Sequence, residues 1–246
     1  MPPKSDHFVI ARRFCGPSDS GNGGYVAGCL AAHIDGPAEI ALKARPPLDV
    51  ALEVVREPDG SVRLMHGAQL VATARPAPAP LPVPPPVPSR SDVEAAAPHF
   101  DGFKAHILPP CFVCGTARAA GDGMRLFAAP IENSVLVASL WTPGADLLGE
   151  GGRVAREFLW AALDCPGYFS LRKPGLFALL ARFRAEIVRA PRVGEPCIVA
   201  AWAMGADGRK HFAGSVVYGD DGAPIAVASA LWIEPAANIL NAEKTQ

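Results

Sequence analysis

Apolar residues along this chain follow two rhythms. Tyr25, Val26, Cys29, Leu30 and His33 recur at steps of three and four, which lays one continuous apolar stripe along a helix opened by Gly23 and Gly24 and closed by Pro37. Ala155, Phe158, Leu159, Ala162 and Leu163 repeat that rhythm, and Pro166 is expected to stop the second helix, because its ring removes a donor and clashes with the preceding turn. Elsewhere the apolar positions alternate and are punctuated by Gly and Asp. The alternation predicts strands at 40–45, 50–56, 62–67 and 68–75, and again at 124–129, 134–141, 176–189, 197–204, 210–218 and 224–233. Asp207-Gly208 and Asp220-Asp221-Gly222 read as hairpin turns between the last of these.

The two helix-and-strand sets resemble each other in sequence. GGYVAGCLAAHIDGP begins at Gly23 and GGRVAREFLWAALDCP at Gly151, so that Leu30, Ala32, Ile34, Asp35 and Pro37 match Leu159, Ala161, Leu163, Asp164 and Pro166. Asp59-Gly60 and Asp207-Gly208 then follow in the same order, as do LVATA at 70–74 and IAVASA at 225–230. Between the sets lies PAPAPLPVPPPVP at 76–88, a stretch with few backbone donors and fixed φ that reads as a semi-rigid extended spacer. The expected organisation is an N-terminal half at 1–75, a Pro-rich linker at 76–110 and a C-terminal half at 111–246. Each half is an apolar helix wrapped by an antiparallel meander, an α+β arrangement in which two halves side by side would share one sheet.

Composition narrows what such a molecule could do. Half of the 246 residues are apolar, and 23 basic against 24 acidic residues leave a net charge of −1 with no basic cluster. A nucleic-acid or anionic-membrane partner is therefore not expected. No apolar run approaches the roughly 20 residues that span a bilayer. The polar start, Met-Pro-Pro-Lys-Ser-Asp, lacks the apolar core of a secretory signal, and the six cysteines are scattered, so reduced thiols and a cytoplasmic location are expected.

An apolar helix cradled by a curled antiparallel sheet, written twice, resembles the double hotdog fold of acyl-CoA thioesterases. GNGGYVAG at 21–28 is similar to the helix-opening turn of the acyl-CoA thioesterase II type. CFVCG at 111–115, GDGMRLF at 121–127 and the strand ending Leu140-Trp141-Thr142-Pro143 resemble single-domain hotdog thioesterases of the phenylacetate-pathway type. The resemblance implies two tandem hotdog domains packed as a pseudo-dimer, and two such chains could pair again as a homodimer. It implies a hydrolase for an acyl-CoA or related thioester held between the halves, with no cofactor and no metal. Asp164 stands where that family's helix carries its acidic residue, as base or nucleophile-orienting carboxylate, and Asp35 is its counterpart in the first half.

The amides of Gly24 and Tyr25, in the first turn of the first helix, have no intrahelical acceptor and are candidate oxyanion donors. Asn22 and Gly23 beside them are candidate substrate contacts. The pattern places Asp164 near a helix C-terminus, where the dipole and apolar neighbours would raise its pKa; pairing with Arg153, Arg156, Arg182 or Arg184 is the competing reading. Glu157, four residues after Arg153, suits a helix-surface ion pair. Arg182 and Arg184, with Arg189, Arg192, Arg172 and Lys173, could meet coenzyme A phosphates or form a solvated face. Cys111 and Cys114 form a C-x-x-C with His99 and His106 upstream, but no second pair follows at zinc-site spacing, so the turn reads as a reduced knuckle and Cys165 as core. The family's histidine before the paired glycines is absent, as are its Ser or Thr and Gln beyond the second helix. A non-catalytic protein that binds acyl-CoA or an apolar ligand is the alternative function.

Overall fold

The computed structural model describes residues 6–236. The first segment forms β1 (His7–Val9), α1 (Gly23–Ala31), β2 (Ala38–Leu42), β3 (Ala51–Arg56), β4 (Val62–His66) and β5 (Gln69–Pro76). Helix α2 (Arg90–Ala96) and the short strand β6 (Ala129–Pro130) follow. The second segment forms β7 (Leu136–Trp141), α3 (Arg156–Ser170), β8 (Leu179–Ile187), β9 (Cys197–Asp207), β10 (Lys210–Tyr218) and β11 (Pro224–Ile233). All eleven strands join one antiparallel sheet in the order β1-β3-β4-β5-β2-β8-β11-β10-β9-β7-β6. With the short edge strand β6 set aside, β1-β3-β4-β5-β2 and β7-β9-β10-β11-β8 follow the same path inward. In each set the strand after the helix lies innermost. These two innermost strands, β2 and β8, pair directly, with Ile40 opposite Phe183 and Glu39 opposite Arg184.

α1 and α3 lie against one face of this sheet and against each other, antiparallel, in one contiguous apolar core. Two glycines set their distance. A Cβ at Gly24 would stand 2.5 Å from Asp164 Cβ, and one at Gly28 would stand 2.5 Å from Glu157 Cα and 2.9 Å from the Glu157 carbonyl. No larger residue fits while the backbones hold this spacing. The sheet supplies the other wall, where Trp160 of α3 meets the fully buried Phe183 of β8 edge-on at 5.4 Å.

Several sequence expectations are corrected. Pro166 does not end α3, which continues to Ser170. The helix has a carbonyl partner beside the break, since Ser215 Oγ of β10 donates to Leu163 O at 2.7 Å, and packing on the sheet outweighs proline's local cost. α1, by contrast, stops at Ala31, where tighter turns take over, with His33 N on Leu30 O at 3.1 Å and Ile34 N on Ala31 O at 3.0 Å, before the left-handed Gly36, φ +78°, and Pro37. The aligned position in α3 is Cys165, which stays helical, so the two helices differ in length despite their matched sequences. The expected strand at 124–129 is irregular except where Ala129 enters β6.

The span 76–110 is a spacer only in its first part. Pro85 O accepts a short bond from Tyr218 Oη, and then Ser89 caps α2, whose Val93 and Ala96 are buried and which packs on β7. No helix among the described residues is long and apolar enough to cross a membrane.

Gly28→Ala should lower stability by about 1–3 kcal/mol, the range for overpacking a tight core contact. Urea unfolding should show a lower midpoint with an unchanged slope; an unchanged midpoint would mean that the two helices have room to spare.

Candidate active site

Asp164 lies in the middle of α3, six residues before its end, and is only 3% exposed. Its Oδ2 accepts two hydrogen bonds from the start of α1, one from Gly24 N at 2.8 Å and one from Asn22 Nδ2 at 3.0 Å. Asp164 Oδ1 is buried and has no partner. No ion pair with Asp164 forms among the described residues, so the arginine reading does not hold. Arg153 and Arg156 instead donate to the carbonyls of Ala190 and Ile187.

Asn22 fits this place because one side chain does two jobs. Its Oδ1 caps α1 by accepting from Tyr25 N at 2.9 Å, while its Nδ2 reaches Asp164 and lies 3.9 Å from Cys111 Sγ. The Gly24 amide is an orphan donor of the first helical turn, and the absent side chain lets α3 come within its reach. The positive end of α1 thus faces the carboxylate.

Burial pushes the Asp164 carboxyl up to about 7; the Gly24 amide pulls against this, the Cys111 thiol adds to it, and Asn22 opposes it. Of the two expected causes, desolvation by apolar neighbours holds, and the negative end of its own helix does not, because Asp164 sits too far from that end.

The other expected site residues divide sharply. Asn22, Gly23, Gly24, Tyr25 and Asp164 gather at the seam, where Gly23 packs toward Leu180 and Leu42. The amides of Gly24 and Tyr25 are both engaged by side chains, so neither points at open space. Tyr25 stacks on Phe14 at 4.3 Å, with Phe112 and Phe158 around the pair, and burial raises the pKa of its hydroxyl. Asp35 falls four residues past the end of α1, exposed, and does not mirror Asp164.

Arg182 and Arg184 project from the sheet face opposite the helices. Their neighbour Phe183 meets Trp160, and successive strand residues alternate faces. Arg184 Nε donates to Ser229 Oγ at 3.0 Å, Arg189 is paired with Glu195 at 2.7 Å, and Lys173 with Glu234 at 2.5 Å. These cations form no common cluster. Glu157 does not pair with Arg153, which precedes the helix.

Sequence spacing missed one feature of this region. Cys165 approaches the Cys111 and Cys114 turn, so that three buried thiols stand beside Asp164 and Asn22. Only the 50-residue gap to Cys165 hid it, because metal-type spacing is sought within short segments. Two surface hollows are also present. One is lined by His99, Ile131, Glu132, Asn133 and Arg172, the other by Asp19, Arg45, Ile107 and Pro110, and Asp164 lines neither.

No family model matches this chain, and no curated protein matches it. Solved structures do. A Thermobifida fusca YX protein provisionally named thioesterase II aligns over 94% of this chain and 92% of its own, with a TM-score of 0.61 and 13% identity. The tesB protein of Mycobacterium avium subsp. paratuberculosis aligns over 88% of each chain at a TM-score of 0.56 and 12% identity. A hot dog-fold protein of unknown function from Alicyclobacillus acidocaldarius covers 94% and 92% at 0.53 and 14%. The chain therefore has the hotdog fold of thioesterase-like proteins.

Replacing Asp164 separates its charge from its role as acceptor. Asp164→Ala strands the Gly24 amide without a partner and leaves Asn22 Nδ2 only its long contact with Cys111 Sγ, at about 1–3 kcal/mol for each lost buried bond, whereas Asp164→Asn keeps an acceptor oxygen. Denaturant midpoints should place the alanine variant clearly below the asparagine one. Equal midpoints would show that these bonds contribute nothing to the seam.

Proposed function

We propose that this chain is a double hotdog, its two copies forming an internal pseudo-dimer, that hydrolyses an acyl-CoA or related thioester at the seam between α1 and α3. The observation that carries the reading is the meeting of Asp164 from one copy with the Gly24 amide and Asn22 from the other. The thioesterase names of proteins with this fold support it, and the absence of disulfides among the six cysteines suits a reducing cytoplasm.

In the proposed reaction the thioester carbonyl oxygen takes the Gly24 amide from Asp164 Oδ2, while Asn22 keeps its hold on that oxygen. Oδ1, which has no other partner, accepts a proton from a water as the water's oxygen bonds to the carbonyl carbon. The carbonyl oxygen becomes an oxyanion held by the Gly24 N–H. Collapse of this adduct breaks the carbon–sulfur bond, and Asp164 returns the proton to the leaving thiolate. Tyr25 is left as a wall residue, because its amide belongs to the Asn22 cap. Asp35, Arg182 and Arg184 take no part.

A second reading, a non-catalytic binder of acyl-CoA or an apolar ligand, draws on a specific observation. Asp164 is closed off from both surface hollows, and its donors are already satisfied.

A panel of acyl-CoAs with colorimetric detection of free thiol decides between them. Hydrolysis that falls by at least about 100-fold in Asp164→Asn, with folding retained, is expected for loss of a general base. Wild-type activity in that variant would remove Asp164 from the chemistry. Ligand-dependent thermal stabilisation with no turnover would select the binder.

A further inference from the structure

The segment Cys111-Phe112-Val113-Cys114-Gly115 folds into a single tight turn. Gly115 N donates to Cys111 O at 2.9 Å, and a Cβ at Gly115 would lie 2.3 Å from that oxygen and 2.4 Å from Pro109 O, so only glycine closes the loop this tightly. The turn is tied to the first segment of the chain, since Phe112 N donates to Cys15 O at 2.8 Å. Cys165 reaches the turn from α3. The three Sγ atoms lie within 4.8 Å of one another, with Cys111 and Cys165 at 3.7 Å, and all three residues are buried.

Those separations suit a metal better than a covalent bond. Zinc–sulfur bonds of about 2.3 Å directed to tetrahedral corners hold their sulfurs roughly 3.8 Å apart. A disulfide requires about 2.05 Å, and would leave the third thiol over. Plain core packing explains a buried thiol, but not three that converge from two distant segments with an N–H donor on one of the sulfurs; such donors stabilise a thiolate, as outer-shell groups around a metal do. The Asn22 carboxamide, 3.9 Å from Cys111 Sγ, is that donor.

We infer that Cys111, Cys114 and Cys165 bind one zinc-type divalent cation as three thiolates, pinning the 111–115 turn to α3. Binding replaces three sulfur–hydrogen bonds by three sulfur–metal bonds and releases three protons. His106 does not complete the set. Its Nδ1 accepts from Leu108 N at 2.9 Å, which places the ring proton on Nε2 and leaves no lone pair there for a metal. Three protein ligands leave one corner for an exogenous donor. The site does not require thioester hydrolysis, and it stands or falls by metal content alone.

The full chain, purified from zinc-supplemented cells with a reductant and no chelator, should carry one zinc per chain by inductively coupled plasma mass spectrometry. Cys114→Ser and Cys165→Ser should fall to background, and Cys29→Ser should retain the metal. Where a serine variant fails to fold, wild type answers alone. After zinc removal, Co(II) should restore a strong thiolate-to-cobalt absorption in the near ultraviolet and tetrahedral bands in the visible, releasing protons as it binds. Wild type without zinc and without a cobalt spectrum would overturn the site. So would undiminished zinc in a folded Cys165→Ser, or a Cys111–Cys165 disulfide under the same reducing conditions.

Discussion

The structure depends on how closely two helix backbones can approach. Gly24 and Gly28 give α1 a bare surface, and α3 fills it with Asp164 and with the backbone at Glu157. Any side chain there would hold the helices apart, and an amide at the start of α1 would then be too far from α3 for a hydrogen bond. The contact is therefore both packing and polar chemistry. It joins the chain's two similar segments on the helical layer, as the β2–β8 ladder joins them in the sheet.

From that approach follows the character of Asp164. Sunk in the core it would resist ionising, and the donors at the start of α1 work against that resistance. Asn22 makes the arrangement economical. One carboxamide caps its own helix, holds the carboxylate and touches a thiol, so replacing it would disturb three contacts at once. Of the arginines that could have neutralised the carboxylate, Arg182 and Arg184 are turned away by strand alternation, and Arg153 and Arg156 are held by backbone carbonyls. The β-bulge at Leu231/Trp232 sets which residues of β8 face the helices on either side of it.

Two local rules lost to tertiary context. Proline should break a helix, yet α3 runs through Pro166 because the sheet packs against it and Ser215 serves a nearby carbonyl. A first-turn amide should be available to a ligand, yet at Gly24 and Tyr25 side chains have taken both. The Gly24 amide is met by Asp164 and the Leu163 carbonyl by Ser215, both distant in sequence, while the Tyr25 amide is capped by Asn22 in its own first turn. Propensity and capping rules cannot anticipate partners such as Asp164 and Ser215, because they consider only neighbours along the chain.

The sequence by itself determined the two apolar helices, nearly every strand, the spacer at 76–88 and the gathering of Asn22, Gly24 and Asp164 as the residues to watch. Periodicity and glycine placement are local properties, and they survive folding unchanged. Only the tertiary structure decided the length of each helix, the exile of Asp35, Arg182 and Arg184 from the site, the direct bond between Asp164 and Gly24, and the third thiol beside Cys111 and Cys114. Those outcomes rest on which surfaces meet and on which face a strand turns inward, and neither is written in the spacing of residues along one chain.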